Sequence, residues 1–267
     1  MELTADELLV HAFKGRTPVD RQLLLVKDMP EGPFRELDIS NFRVLNPGKH
    51  ELKNCSVWFP KGYSQHIKSR VVFEFVEPSE NCHFYFFRLP DKRSKLKFSA
   101  FGHNHSVVMF STRRMTLYVR MSTGNANLTV GDAVYIGGAI LGLDNTSMTV
   151  GACGLWSDGI LVQGTDSHGI VDIDSMKIIN DNPKHITLKR RVWIGRRATI
   201  MKNLTIEEGS IVATGALVAK DVPKACIVAG VPAKVVRERV SWTHRQSYIS
   251  EFDQREILKL RNELDNV

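Results

Sequence analysis

Between Leu188 and Val218 the chain places an aliphatic residue at every sixth position: Leu188, Ile194, Ile200, Ile206, Val212 and Val218. An α-helix returns to one face every three or four residues and a strand every two, so neither alone gives this spacing. A period of six with β-branched residues fits a parallel β-helix, whose coils have three short flat sides. Each aliphatic side chain then points into the prism and stacks on its equivalents in the coils above and below. One coil cannot bury its inner face, so several must stack.

The same step appears earlier in interrupted form. Val130-Gly131 and Ile136-Gly137 keep it, an insertion around 142–147 breaks it, and Val150-Gly151, Trp156 and Val162 resume it. The segment GIVDIDSMKIINDNPKH, residues 169–185, is too polar and irregular for another coil. It reads as a loop thrown out of the helix, and long loops in compact domains are often functional.

The first hundred residues carry no such repeat. LTADELLVHAF reads as a helix with acidic residues near its start. RVVFEFVEP, CHFYFFRL and KLKFSAFG read as strands divided by Pro and Asp, and VVMFSTRRMTLYVR as the first irregular coils. Near the other end, roughly over 247–264, SYISEFDQREILKLRNEL reads as a helix with an apolar stripe of Ile249, Phe252, Ile257, Leu260 and Leu264. The expected organisation is a mixed α/β cap over 1–105, a β-helix domain over 106–240 with an excursion at 169–187, and a helical tail over 241–267.

Composition excludes several classes. In 267 residues, 43% hydrophobic and 24% charged content is that of an ordinary soluble globular protein rather than a disordered one. The formal charge of +7 suits a polyanionic small ligand, an anionic polysaccharide, nucleic acid or no specific partner. The basic residues are scattered and no nucleic-acid-binding motif appears, so no nucleic-acid partner is expected. The four cysteines form no C-x-x-C pair and no Cys/His cluster of zinc spacing, which predicts reduced, mostly buried thiols and no metal. The N-terminus opens on acidic residues without the basic start and apolar stretch of a signal peptide. No apolar run reaches the ~18 residues of a membrane span. A cytoplasmic protein with no transmembrane segment is expected.

Four motifs carry a resemblance: VQGTDSH, RVWIGRRATI, ATGALVAKDVP and IVAGVPAKVVRE, in that order. From about Val130 to Trp242 the chain resembles the hexapeptide-repeat acyltransferases. Within them it looks most like the capsular-polysaccharide and lipopolysaccharide O-acetyltransferases, with galactoside acetyltransferases as more distant relatives. The resemblance implies a mainly β, left-handed parallel β-helix, assembled as a homotrimer, with acetyl-CoA as co-substrate in the cleft between adjacent β-helices and a carbohydrate as acceptor. It also implies a histidine where the coil gives way to the loop. Here that residue is His168.

The chemistry calls for such a group. A sugar hydroxyl is a poor nucleophile at neutral pH and needs a base to take its proton as it attacks the thioester carbonyl. Histidine, with an unperturbed pKa near 6.5, is neutral and basic at pH 7. A loop histidine without a role, or one facing the core, is the plain alternative. Asp166 and Asp158 are the nearest carboxylates in sequence, and either could hold the ring's other nitrogen as the third member of a triad does. Asp166 is preferred; a backbone carbonyl would serve equally, and a turn Asp bonded to its own backbone is the alternative for both. By the same resemblance Trp193 lies beside the acetyl-bearing arm of CoA, and Thr214, Ala219 and Lys220 line the CoA tunnel, with Thr214 where relatives often carry Ala. Lys234 and Arg237 meet the CoA phosphates through charge-assisted contacts. Arg196 and Arg197 are further candidates for phosphate or an acidic acceptor.

Other readings of the same scaffold stay open at this point. They are N-acetylation of an amino sugar, O-acetylation of serine, and a non-catalytic β-helix scaffold. A zinc lyase of the carbonic anhydrase type needs three histidine ligands, whereas the repeat before the tail offers only His168 and His185.

Overall fold

The structure, a computed structural model, describes residues 2–14, 20–24, 32–37, 43–45, 52–60, 70–88 and 90–266. It is a mainly β, left-handed solenoid of about seven turns. The six-residue spacing resolves into three columns of inward side chains. Met109, Val130, Val150, Leu188, Ile206 and Val222 lie in parallel register along the first face. Met115, Ile136, Trp156, Ile194, Val212 and Val228 follow the second. Leu141, Val162, Ile200 and Val218 follow the third. All belong to one continuous apolar core and none is more than 3% exposed. Each such side chain contributes about 1.5–3 kcal/mol on burial, so the stack, not any one coil, carries the stability.

The parallel ladder does not begin near 106. Ser56–Pro60 pairs in parallel with His83–Phe86, and that strand with Ser106–Met109. Val71–Glu80 likewise pairs with Lys95–His103, which pairs with Met115–Ser122. Much of the stretch expected to be a cap is therefore solenoid. The repeat is hidden because coil length drifts: Asn54, Asn81, Asn104, Asn125 and Asn145 follow one another at steps of 27, 23, 21 and 20 residues. All five occupy the left-handed backbone region at the same corner, φ between 46° and 57°. Asparagine visits that region readily because its short amide bonds locally. Asn54 donates to Asn81 (2.6 Å), Asn81 to Asn104 (3.1 Å) and Asn104 to Asn125 (3.3 Å), a ladder running along the corner.

Outside the parallel ladder stand the N-terminal helix Ala5–Ala12 and the strands Glu2–Leu3 and Phe34–Leu37, which extend one sheet in antiparallel fashion from Ser56–Pro60. Thr4 and Glu7 form a reciprocal capping box at the helix start. Leu8, Leu9 and Ala12 bury against Trp58, Tyr85, Phe87 and Phe110 on the outer side of the solenoid.

The supposed insertion at 142–147 is not one. Strands Tyr135–Asp144 and Thr146–Val150 are separated by Asn145 alone, within a 20-residue coil. The later excursion is real but lies earlier in the chain than expected. The chain leaves after strand Ile160–Gln163, forms a small hairpin of Val171–Asp172 with Lys177–Ile178, and rejoins the ladder at Lys184–Leu188. Residues 184–187 thus belong to a coil.

At the C-terminal end Ala233–Glu238 turns back antiparallel on Cys226–Gly230. The closing helix runs Glu251–Asp265, capped by Ser250. Its packed face differs from the expected apolar stripe: Asp253 and Leu260 are buried, whereas Ile249 and Phe252 are exposed. Asp253 pairs with the buried Arg191 at 3.0 Å, Glu256 with Arg190 and Glu263 with Lys224. A half-acidic helix face meets three cations, a pattern that a search for apolar residues passes over. No helix among the described residues is long and apolar enough to cross a membrane.

Candidate active site

The excursion departs at the corner that Asn54, Asn81, Asn104, Asn125 and Asn145 occupy in earlier coils. Here the sequence reads Gly164-Thr165-Asp166-Ser167-His168, with no asparagine to close the turn. Thr165 accepts a bond from the Ser167 amide (2.9 Å), and Ser167 takes the left-handed conformation, φ 61°. The chain is thereby turned outward, and His168 emerges exposed. It lines a cleft of about 360 Å³ together with His103, Asn125, Asp144, Asp166 and Lys184. His103 comes from a coil that the six-residue period did not reveal, and Asp144 from the stretch that the period read as an insertion. The asparagine spacing is the signal that would have found them.

Asp166 makes no hydrogen bond to the imidazole and is engaged elsewhere. Its carboxylate accepts from Lys202, in the next coil, and from the Asn180 amide at 2.8 Å. Those two donors hold the carboxyl below the usual carboxylate range. The ring of His168 has no hydrogen-bond partner among the described residues. Asp158 stands at the preceding corner, exposed, and bonds Arg196 at 2.7 Å, which lowers its pKa. Asn180 and Lys202, neither singled out from sequence, complete the root of the excursion.

The residues expected to meet CoA lie elsewhere on the chain. Trp193 is half-buried on the second face, its ring 6.4 Å from that of Trp242. Thr214, Ala219 and Lys220 are exposed on the last coils, and Lys234 and Arg237 are exposed on the returning strand, opposite Ala229 and Ile227. None of the six lines the His168 cleft. Gly195 explains the W-I-G motif beside Trp193: a Cβ there would sit 2.6 Å from the Thr214 amide nitrogen, so the neighbouring coil approaches too closely for any side chain. The expected residues thus fall on two separate surfaces of one chain, a histidine cleft at one corner and a small-residue, cation-bearing surface on the last coils.

Over 123 residues, 46% of this chain, the sequence is 33% identical to a polysialic acid O-acetyltransferase of Escherichia coli O1:K1, of which the match spans 40%. It is 26% identical over 169 residues to the galactoside O-acetyltransferase of Escherichia coli K12, spanning 80% of that protein. In sequence the chain is thus similar to a polysialic acid O-acetyltransferase, of which it spans less than half, and to a galactoside O-acetyltransferase. Among solved structures, the polysialic-acid-specific acetyltransferase NeuO shares this hexapeptide-repeat fold with a TM-score of 0.64 at 22% identity, over 83% of this chain and 86% of that one. The polysialic acid O-acetyltransferase OatWY gives 0.55 at 17%, over 82% and 96%. No protein-family model matches the sequence.

Proposed function

We propose that this protein transfers an acetyl group from acetyl-CoA to a sugar hydroxyl of a cell-surface polysaccharide, such as a capsule, or of its precursor. The observation that carries this reading is His168, exposed, without a hydrogen-bond partner among the described residues, and on the rim of a polar cleft large enough for a sugar ring. The names of the relatives point the same way.

The acceptor hydroxyl sits in the cleft and His168 removes its proton as the oxygen attacks the thioester carbonyl. The tetrahedral adduct collapses, the carbon–sulfur bond breaks, and the CoA sulfur takes the proton back from the imidazolium. A base placed in this way contributes about 10²–10⁴-fold. Asp166 serves the site by anchoring the excursion to Lys202 rather than by touching the ring. Trp193, Thr214, Ala219 and Lys220 offer an accessible flank for the pantetheine arm, and Lys234 and Arg237 offer exposed cations for the phosphates.

Because these surfaces are separate within one chain, the complete site is assembled between copies, in a homotrimer. The excursion supports this assembly. Its hairpin exposes Ile170, Val171, Ile173, Met176, Ile178 and Ile179, each 48–84% accessible. So much apolar surface on a small hairpin marks an interface. A cytoplasmic location follows from the use of acetyl-CoA.

The test is CoA release from acetyl-CoA across a panel of neutral and acidic glycans, with mass spectrometry of the product and sedimentation of the same sample. An O-acetyl ester formed by a trimer is expected. A fully active monomer would contradict the shared site, and acetylation of an amine alone would replace the hydroxyl acceptor with an amino sugar.

A further inference from the structure

Among the described residues the His168 ring has no hydrogen-bond partner, so its placement depends on the main chain that carries it. That makes the backbone around His168 the positioning device for the proposed base, and one side chain dominates it. Asn180, on the returning limb of the excursion, uses its whole amide group on the outgoing limb. Its nitrogen donates to the Asp166 carboxylate at 2.8 Å and to the His168 carbonyl oxygen at 2.9 Å. Its oxygen accepts from the Ile170 amide at 2.7 Å. The two residues after next on either side of His168, and His168 itself, are thus tied to one side chain.

The clamp is grounded in the solenoid. Asp166 also receives Lys202 from the following coil. Asn145, the last member of the asparagine series before the excursion, sends its amide to the Asp181 carbonyl at 3.1 Å, next to Asn180 in sequence. An unbroken path therefore runs from two rigid coils to the carbonyl of His168, through Lys202 and Asp166 on one side and through Asn145 and residue 181 on the other.

We infer that Asn180 is the positioning residue for His168, fixing the imidazole at the rim of the acceptor cleft through the main chain. The inference rests on the acetyl-transfer reading for its kinetic consequence, and not for its geometry. Among the described residues no other side chain bonds both the His168 carbonyl and the Ile170 amide. Removing the Asn180 side chain leaves the His168 carbonyl and the Ile170 amide without their partner and frees the limb that carries the base. A displacement of about 1 Å at a reacting group can cost about 10²-fold in rate.

The test compares the wild type with Asn180→Ala, Asn180→Asp and His168→Ala. Asn180→Asp keeps the shape and the acceptor for Ile170 but loses both donors and sets a second carboxylate against Asp166. If filling space were the only role, Asn180→Asp would behave as the wild type. A positioning role predicts that both Asn180 variants lose about 10²-fold in kcat, read on the trimeric fraction isolated by sizing because the same hairpin is the proposed interface, with the melting temperature nearly unchanged because the hairpin lies outside the stacked core. In parallel, NMR of the His168 ring should show one defined environment in the wild type and an averaged one in both variants. Wild-type kcat together with an unchanged ring signal in Asn180→Asp would overturn the inference. If His168→Ala retained full activity, the reading of the base would fail instead, while the ring signal would still decide the clamp.

Discussion

From Leu188 to Val218 equivalent positions recur every 18 residues, whereas from Asn54 to Asn145 the steps shrink from 27 to 20. In the later coils each face hands one residue to the core at every sixth position, and register is carried by packing. The earlier coils use strands of eight to ten residues, such as Val71–Glu80, Lys95–His103 and Met115–Ser122. There the register is reset once per coil, at an asparagine in the left-handed conformation. Coil length is thus free to vary where a single corner is pinned. The excursion that bears His168 leaves from that same corner one coil after Asn145, where the step of six has resumed at Val150, Trp156 and Val162.

If the two halves keep register by different means, they should fail separately, since a solenoid couples only neighbouring coils. The largest effect is expected from Arg191→Ala. Arg191 is buried, bonds Asp253 at 3.0 Å and the Trp242 carbonyl at 2.8 Å, and lies over the Trp242 ring. Removing it strands a buried carboxylate, which costs about 3–5 kcal/mol. Hydrogen exchange should accelerate over 190–265 and hardly at all before 130. Equal acceleration in both halves would show one cooperative unit.

Acid should act on the same half. Burial alone would raise the Asp253 pKa, but bonds from Ser250, Thr243, Arg191 and His244 overcome it and hold the carboxyl far below the ordinary value. A depressed carboxylate contributes stability above its unfolded pKa, about 3.9, and loses it as the pH falls below that. Acid titration followed by exchange should therefore release the C-terminal helix ahead of the early coils. Early coils opening first would contradict this assignment.

The smallest effect is expected from Asn104→Ala, which puts a less tolerant residue in the left-handed region and breaks the ladder at 3.1 and 3.3 Å. A cost of about 1–2 kcal/mol is expected, read as faster exchange in residues 83–130 only. Asn104→Gly should recover part of it, because glycine adopts that conformation freely. A silent Asn104→Ala would remove the corner as the carrier of register.

This contrast explains what the sequence discloses. Ile194, Ile200 and Val212 announce the β-helix because constant coil length turns a spatial column into a linear period. The early coils were read as a cap because drifting length erases that period, although Asn-Cys-Ser-Val, Asn-Cys-His-Phe and Asn-His-Ser-Val repeat their corner in plain view. The closing helix was located within a few residues, but its packed face was not, since Asp253 buries by pairing with Arg191 rather than by being apolar. At the site, His168 was legible from the motif around it. Asn180 was not, because its partners lie 10–14 residues back and meet it only when the hairpin folds.

The reading of the protein as an acetyltransferase turns on His168. The deciding measurement is kcat against pH for the wild type and His168→Ala, at saturating acetyl-CoA with the true acceptor, beside sizing of the same samples. If His168 is the base, the wild-type rate falls on the acid side as the imidazole becomes protonated, because imidazolium cannot accept a proton. The variant should be folded and trimeric, bind acetyl-CoA normally, lose about 10²–10⁴-fold in rate, and lack that acid limb. A folded, trimeric His168→Ala with near wild-type kcat and an intact limb would remove His168 from the mechanism.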